Sequence, residues 1–298
     1  MAYTHIERIP ELRRPLLITA FAGWNDAAEA ATTAARLLVE KWSAERFADI
    51  DAEEFYDFTS TRPVVSVGPD YQRELQWPSN SFFYHADPAL ERDVVVLLGT
   101  EPQLKWRAFT AEIMDVALQC DVSQVMPLGA LLADTPHTRR VPLIGFATDP
   151  DLLERLRSLE VGPTRYQGPT GIPGVIHDAC KQAGLPAISL WASVPHYLGV
   201  TQNPKVAEAL LRVVDRLFGL RLDLDDIGQA VMHFEQQISA IIATNPEAAA
   251  YLTELERRAD NALEGEAVGE LDLSGLPSSE ALIRELEEFL KRRREQQG

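Results

Sequence analysis

The sequence has 298 residues, 46% hydrophobic and 24% charged, a composition that supports a buried core and excludes global disorder. Its 28 Lys and Arg face 45 Asp and Glu, and the resulting formal net charge of −17 excludes nucleic acid and anionic membrane surfaces as expected partners. No apolar run reaches the roughly 18 residues of a membrane span, and the opening MAYTHIERIPELRRP is too charged for a signal peptide, so a cytoplasmic protein is expected.

Up to Gly219, short apolar runs alternate with longer amphipathic ones, the pattern of βαβ units and a mostly parallel sheet. The run at 16–21 reads as a buried strand. The helix after it is expected over 27–42, with Asp26 as cap and Glu29 completing a capping box. Runs at 94–98, 124–128, 143–146 and 187–194 read as further buried strands, with weaker helical patterns over 104–118 and 175–182. The best-marked helix covers 204–218. Asn203 caps it, Pro204 takes the first helical position, and Gly219 follows its end, while Val206, Leu210, Val213, Val214 and Leu217 line one face. Helical periods then return at 227–244, at 246–262 behind Asn245, and at 280–294, with a glycine-containing acidic loop over 264–277. The Lys and Arg run at 291–294 suits the negative end of a helix dipole. The expected organisation is an α/β core over 1–222 and a helical C-terminal extension over 223–298.

Open parallel sheets bind ligands beyond the carboxyl ends of their strands, so the segments after each apolar run are the candidate sites. Gly23, Trp24, Asn25 and Asp26 stand between the first strand and the first helix, where a helix N-terminus can hold an anion. Asp26 can equally satisfy those N–H groups itself and repel a phosphate. Glu101 follows the 94–98 strand in GTEP, and Gly168 and Gly171 belong to the loop YQGPTG. In DTPHTRR, His137 and Thr138 adjoin Arg139 and Arg140. Two cations beside a titratable ring suit capture of phosphate or carboxylate, and they equally suit ion pairs with Asp134 or another carboxylate that pin the loop. Pro195, His196 and Tyr197 end the last strand, as acid/base equipment or as a packed aromatic corner. Glu53, Glu54, Asp57 and Arg62 surround the aromatic cluster Phe55, Tyr56 and Phe58 in a segment rich in β-formers. His5, His85, His177 and His233 lack metal-ligand spacing, and Cys120 and Cys180 read as buried thiols. Neither a metal nor a cofactor is expected.

The stretches AFAGWNDAAEAATTAARLL, EFYDFTSTRP, LLGTEPQLKWRAFT, LGALLADTPHTRRVP, YQGPTGIPGVIHDAC, SLWASVPHYL and NPKVAEALL occur in this order between residues 16 and 211. As a set they resemble the signature blocks of bacterial members of the proteasome assembly chaperone 2 family. The resemblance implies a three-layer αβα core related to the phosphorylase/hydrolase fold, self-association, and a binding or assembly role with no established enzymatic activity. It marks Gly23, Trp24, Asn25, Asp26, Glu101, His137, Thr138, Arg139, Gly168, Gly171, Pro195 and His196 as signature positions and gives none of them a chemical role. On this reading the chain is a homo-oligomer, a trimer before a dimer, that serves a protein complex under assembly. The other function open to the sequence is a phosphorylase/hydrolase-like enzyme that binds an anionic or nucleoside-type molecule at the strand ends. Gly23 and Arg139 would then position the anion, with His137 or His196 as acid/base. The extension is expected to add to the oligomer's surface, because Ile227, Val231, Phe234, Ile238, Ile241 and Ile242 form an apolar stripe that a sheet already flanked by helices does not easily cover. Some relatives that act on proteasomes end in a hydrophobic residue, a tyrosine and one more; this chain ends Glu295, Gln296, Gln297, Gly298.

Overall fold

The computed structural model describes residues 3–68, 70–199 and 201–263. The loop expected over 264–277, the helix over 280–294 with its basic run, and the C-terminal four residues lie outside the described residues. Nine strands form one sheet in the order β1 (Thr4–Ile6), β3 (Glu45–Ile50), β6 (Asn80–His85), β7 (Val94–Thr100), β2 (Leu16–Ala22), β8 (Gln124–Ala133), β11 (Ile188–Pro195), β9 (Leu143–Ala147) and β10 (Gly162–Pro163). Strands β4 (Val64–Val67) and β5 (Arg73–Gln76) form a two-stranded sheet apart from it. The helices are α1 (Ala30–Lys41), α2 (Trp106–Gln119), α3 (Pro150–Ser158), α4 (Ile172–Ala183), α5 (Pro204–Phe218), α6 (Asp225–Ala243) and α7 (Pro246–Leu263).

The sheet is mixed, which corrects the parallel reading. The pairs β7–β2, β2–β8 and β8–β11 are parallel, whereas β6 runs against β7 and β9 against β11. The four strands joined by these parallel pairs are among the five apolar runs that sequence marks, because a central strand is buried on both faces; the fifth run, 143–146, forms β9, which pairs antiparallel with β11. Their period-2 alternation separates two cores. Leu16, Ile18 and Ala20 of β2 pack with α1, α3 and α5 on one face, while Leu17 and Phe21 pack with α2 and α4 on the other. The result is the expected three-layer α/β arrangement. Cys120 and Cys180 are buried free thiols whose pKa burial raises to about 11 and about 12, which leaves them protonated. The segment 53–58, rich in β-formers, forms turns instead of a strand, and Phe55 and Tyr56 are drawn into the second core.

Helix α5 follows its local signals closely. The Asn203 side chain accepts from the Val206 N–H at 3.3 Å, Pro204 leads the helix, and Gly219 ends it in the left-handed conformation at φ 64°. The start of α1 departs from expectation. A short 3-10 turn over Ala27–Glu29 comes first, with Ala28 and Glu29 at positive φ, so Asp26 caps from further back. Its carboxylate accepts from the Ala31 N–H at 2.7 Å, the Thr32 N–H at 3.3 Å and the Thr32 hydroxyl. Glu29 completes no capping box; its carboxylate instead accepts from Gln202 Nε2 at 2.8 Å.

The extension folds back on the core. Ile238 and Ile242 of α6 form a third small cluster with Ala248 and Leu255 of α7 and with Tyr197 and Leu198 beyond β11. Ile227 and Val231 join the α5 face of the main core, and Phe234 and Ile241 are half-buried. The stripe on α6 is therefore covered within the chain. The expectation that it needs another copy fails because α7 and the turn after β11 supply the missing surface.

Candidate functional site

The strand-end candidates form two clusters. In the first, β2 delivers Gly23 to Asp26, β7 delivers Glu101, and the loop before α4 delivers Gly171. The Glu101 carboxylate accepts from the Ile172 N–H at 2.8 Å and from the Trp24 N–H, so it caps α4 and ties it to the β2 turn. Burial raises its pKa despite these donors. Asn25, 1% exposed, donates from its amide to the Phe21 carbonyl at 2.8 Å, and its side-chain oxygen is buried with no hydrogen-bond partner.

Close approach requires glycine at two of these positions. A Cβ on Gly171 would lie 2.7 Å from Asn25 Oδ1 and 2.9 Å from Glu101 Oε1. Gly23 has φ 138°, and a Cβ there would meet the Glu101 Cβ at 3.1 Å. Gly168 stands apart from this contact and faces the Tyr166 hydroxyl, which donates to the Pro169 carbonyl at 3.0 Å. Trp24 stays 66% exposed. Asp26 covers the α1 N-terminus with its own carboxylate, and burial raises its pKa, so the anion-holding reading of this turn loses to the capping one.

The second cluster lies under the extension. His137 is buried, with the Tyr197 hydroxyl 2.9 Å from Nδ1 and Ser239 Oγ of α6 3.2 Å from Nε2. Burial, assisted by the Lys205 ammonium, lowers the His137 pKa to about 4, so the ring is neutral at pH 7. Arg139 makes two bonds to Asp260 of α7, at 2.8 and 2.9 Å, and a third to Glu256 at 3.2 Å; Thr138 donates to the same Glu256. Arg140 pairs with Glu160. The pinning reading of DTPHTRR therefore holds, with partners other than Asp134. Asp134 instead lies 3.3 Å from His196 Nδ1, and the Tyr251 hydroxyl of α7 lies 3.3 Å from His196 Nε2. Pro195 ends β11 in this cluster and leads into the turn that carries Tyr197.

The space beside His137 and Arg139 is a void of about 10 Å³, at or below what one water occupies. A wider groove of about 610 Å³ runs along α5 between Arg140, Leu143, Arg212, Arg216 and Leu222; it shares Val141 and Lys205 with the void beside His137, and neither the first cluster's glycines nor His137, Arg139 or His196 line it. Among the described residues no group of three or more His, Cys, Asp or Glu could hold a metal, and no helix is long and apolar enough to cross a membrane. His177 sits in the core beside Ser189 Oγ at 3.0 Å, and His85 stacks on Trp42 at 4.8 Å.

Sequence reasoning named Tyr56 only within an aromatic cluster and missed the other residues that complete the two clusters. Tyr56 and Asn80 brace β7 just before Glu101, where Asn80 accepts from the Thr100 N–H at 3.1 Å and donates to the Tyr56 hydroxyl. Ser239, Tyr251, Glu256 and Asp260 come from the extension, about 50 to 120 positions beyond the residues they hold. No local signal marks them. Arg139→Ala should therefore act on the extension first. Hydrogen exchange across 246–261 is expected to quicken while β2 and β8 keep their protection. Unchanged exchange in α7 would show that these ion pairs do not hold it.

Fold and site together define a three-layer α/β protein whose strand ends are closed by a helical hairpin. The chain belongs to the PAC2 family, which it matches over residues 20–242. That match ends with α6, so the α7 carboxylates that hold Arg139 lie beyond it. A proteasome-assembly chaperone homologue from Mycobacterium tuberculosis is similar at 41% identity and a TM-score of 0.72, over 80% of this chain and 99% of its own. A PAC2 family protein from Streptomyces avermitilis is similar at 40% identity with the same coverage and TM-score. An archaeal proteasome activator from Pyrococcus furiosus shares the fold at 20% identity and a TM-score of 0.65, over 81% of this chain and 99% of its own. No curated protein matches this chain significantly.

Proposed function

We propose that this chain is a non-enzymatic binding or assembly factor that works in the cytoplasm as a homo-oligomer, a trimer before a dimer, and serves a protein complex under assembly. One observation carries the reading. The side chains equipped for chemistry at the strand ends act as struts, with His137 between Tyr197 and Ser239 and Arg139 on Asp260, and the void that His137 and Arg139 line is only about 10 Å³. A catalytic base and an anion-binding arginine need an open pocket of several hundred Å³ for substrate. The similar Mycobacterium and Pyrococcus proteins, a proteasome-assembly chaperone homologue and a proteasome activator, support the same direction and suggest proteasome subunits as the first partner to try.

Two measurements test it. Incubation with phosphate and a mixture of nucleosides is expected to give neither turnover nor a rise in melting temperature. Phosphorolysis that disappears in His196→Ala would establish the phosphorylase/hydrolase-like reading instead. Native mass spectrometry with separately folded α-type proteasome subunits is expected to give a mixed complex, and its absence at tens of micromolar would remove the proteasome as the partner.

A further inference from the structure

Positive charge gathers at the amino ends of the central strands, at the end of the sheet away from the Glu101 cluster. Strands β2 and β7 run parallel with Leu16 opposite Val94, and Arg14 and Arg92 each precede that pair by two residues. The ring of Phe218, the last residue of α5, draws in two guanidinium groups. Arg92 Cζ lies 5.1 Å from its centroid and Cζ of Arg155, on α3, lies 5.9 Å from it. Arg155 also donates to the Leu217 carbonyl. Burial lowers the Arg92 pKa, and repulsion from Arg14 and Arg155 lowers it further, with Glu91 the acid that opposes them. Arg14 and Arg155 are exposed and Arg92 is half-buried.

The chain supplies no carboxylate to bind these three cations. None of them makes an ion pair among the described residues, and the acids next to them in sequence are taken. Asp93 accepts from the Arg13 backbone N–H at 2.6 Å and from Arg13 Nη2 at 2.7 Å, and Glu154 pairs with Arg157 at 3.3 Å. Arg92 Nη1 is buried with no hydrogen-bond partner. An aromatic face attracts a cation but leaves the in-plane donors of a guanidinium unmet. A buried unmet donor costs stability, and like charges held together cost more. In a chain with 45 acidic residues against 28 basic ones, this cluster is a local reversal of the surface field.

We propose that Arg14, Arg92 and Arg155 form a docking site for an acidic segment of a partner protein, with carboxylates seated on their guanidinium groups. The inference deepens the binding role proposed above and rests on it. A guanidinium fork holds a carboxylate through two parallel N–H bonds, which meets the donors that the Phe218 ring cannot. The anion is part of a protein chain because a small one has no walls here. Neither the void beside His137 nor the groove along α5 is lined by any of the three arginines, and a free ligand needs a cavity that buries most of its surface. A nucleic acid carries its charge too densely for a body of net charge −17, whereas a short acidic segment can reach three arginines without facing the rest of that surface.

The probe is fluorescein-labelled hexaglutamate, titrated with the full chain and followed by polarisation. The wild type is expected to bind it although both are negatively charged, and raising the salt from about 50 to about 300 mM should weaken binding. Arg92→Met should weaken it about tenfold and leave the melting temperature level or raised, because it removes an unmet donor and relieves repulsion. Arg92→Lys should weaken it as well, since an ammonium keeps the charge and loses the fork. No polarisation change with the wild type overturns the site, and so does undiminished binding by Arg92→Met. A lower melting temperature with binding intact makes Arg92 a prop for Phe218 and overturns it too. Should Arg92→Met fail to fold, Arg14→Glu at an exposed position decides, and binding retained there overturns the site. Inorganic phosphate at matched ionic strength should not displace the peptide; displacement overturns the protein segment in favour of a free anion. A fall in the chain's mass on adding hexaglutamate overturns the separate partner and makes a second copy the occupant. These measurements contain no proteasome subunit, so failure of the mixed complex leaves the arginine site standing, and failure of the site leaves the assembly role to its own test.

Discussion

Leu210→Ala is expected to lower the free energy of unfolding by about 2–5 kcal/mol. Leu210 is fully buried on α5, the helix that touches α1, β11 and α6 at once, so the void left by the truncation is walled on several sides by elements that cannot all collapse into it. Against a total stability of about 5–15 kcal/mol for a typical domain, that is a large share. Urea denaturation followed by circular dichroism should show the midpoint fall with an unchanged slope. Arg212→Ala, on the solvent side of the same helix, should change stability by no more than about 0.5 kcal/mol. A loss at Leu210 below about 1 kcal/mol would mean that α5 turns a different face to the sheet.

The second large effect is a loss of stability in mild acid that depends on His137. Burial and Lys205 hold this ring's pKa at about 4, against 6.5 for a free histidine. Between those values the unfolded chain binds a proton that the folded chain refuses, so stability falls as pH drops from about 6.5 to about 4 and this contribution levels off below. At about 1.4 kcal/mol per pKa unit the loss is on the order of 3 kcal/mol. The Glu235 and Glu256 carboxylates lie near the ring, so the comparison is between wild type and His137→Gln, which removes the ring and leaves the acids. Denaturation midpoints measured from pH 7 to pH 4.5 should fall more steeply for the wild type. Parallel profiles would mean that the ring takes up its proton without cost. Because His137 meets Ser239 of α6, the same acid range should loosen the extension before the core.

The strand-end glycines show how far local reading reached. Gly23, Glu101 and Gly171 stand out because each follows an apolar run or opens a helix, and the structure joins them through one carboxylate. What Glu101 does there was not legible, since its partners are backbone N–H groups whose positions depend on how β2, β7 and α4 meet. The histidine and arginine loop gave an ambiguous signal for a different reason. An arginine beside a histidine has the same sequence appearance whether it awaits a ligand or is paired, and Asp260 lies 121 positions away. The apolar surface needing a partner was sought on α6, where helical periodicity is strong. The α6 stripe is covered by α7 and by the turn after β11, contacts between elements that periodicity along one helix does not reveal.

By itself the sequence determined the elements whose energetics are local or one-dimensional. The four parallel strands follow from continuous apolar runs, and α5 follows from a cap, a leading proline, a closing glycine and an unbroken apolar stripe, all within 17 residues of one another. The family likeness rests on the order of short motifs and is equally a property of the line of residues. Tertiary structure alone decided the edges of the sheet, the mixed strand directions, and the burial of His137 and Arg139 under the extension. An edge strand such as β1 or β10 is stabilised by the neighbour it pairs with more than by its own composition. A buried polar residue is satisfied by whichever group the fold brings within about 3 Å, and that distance is set by packing in three dimensions.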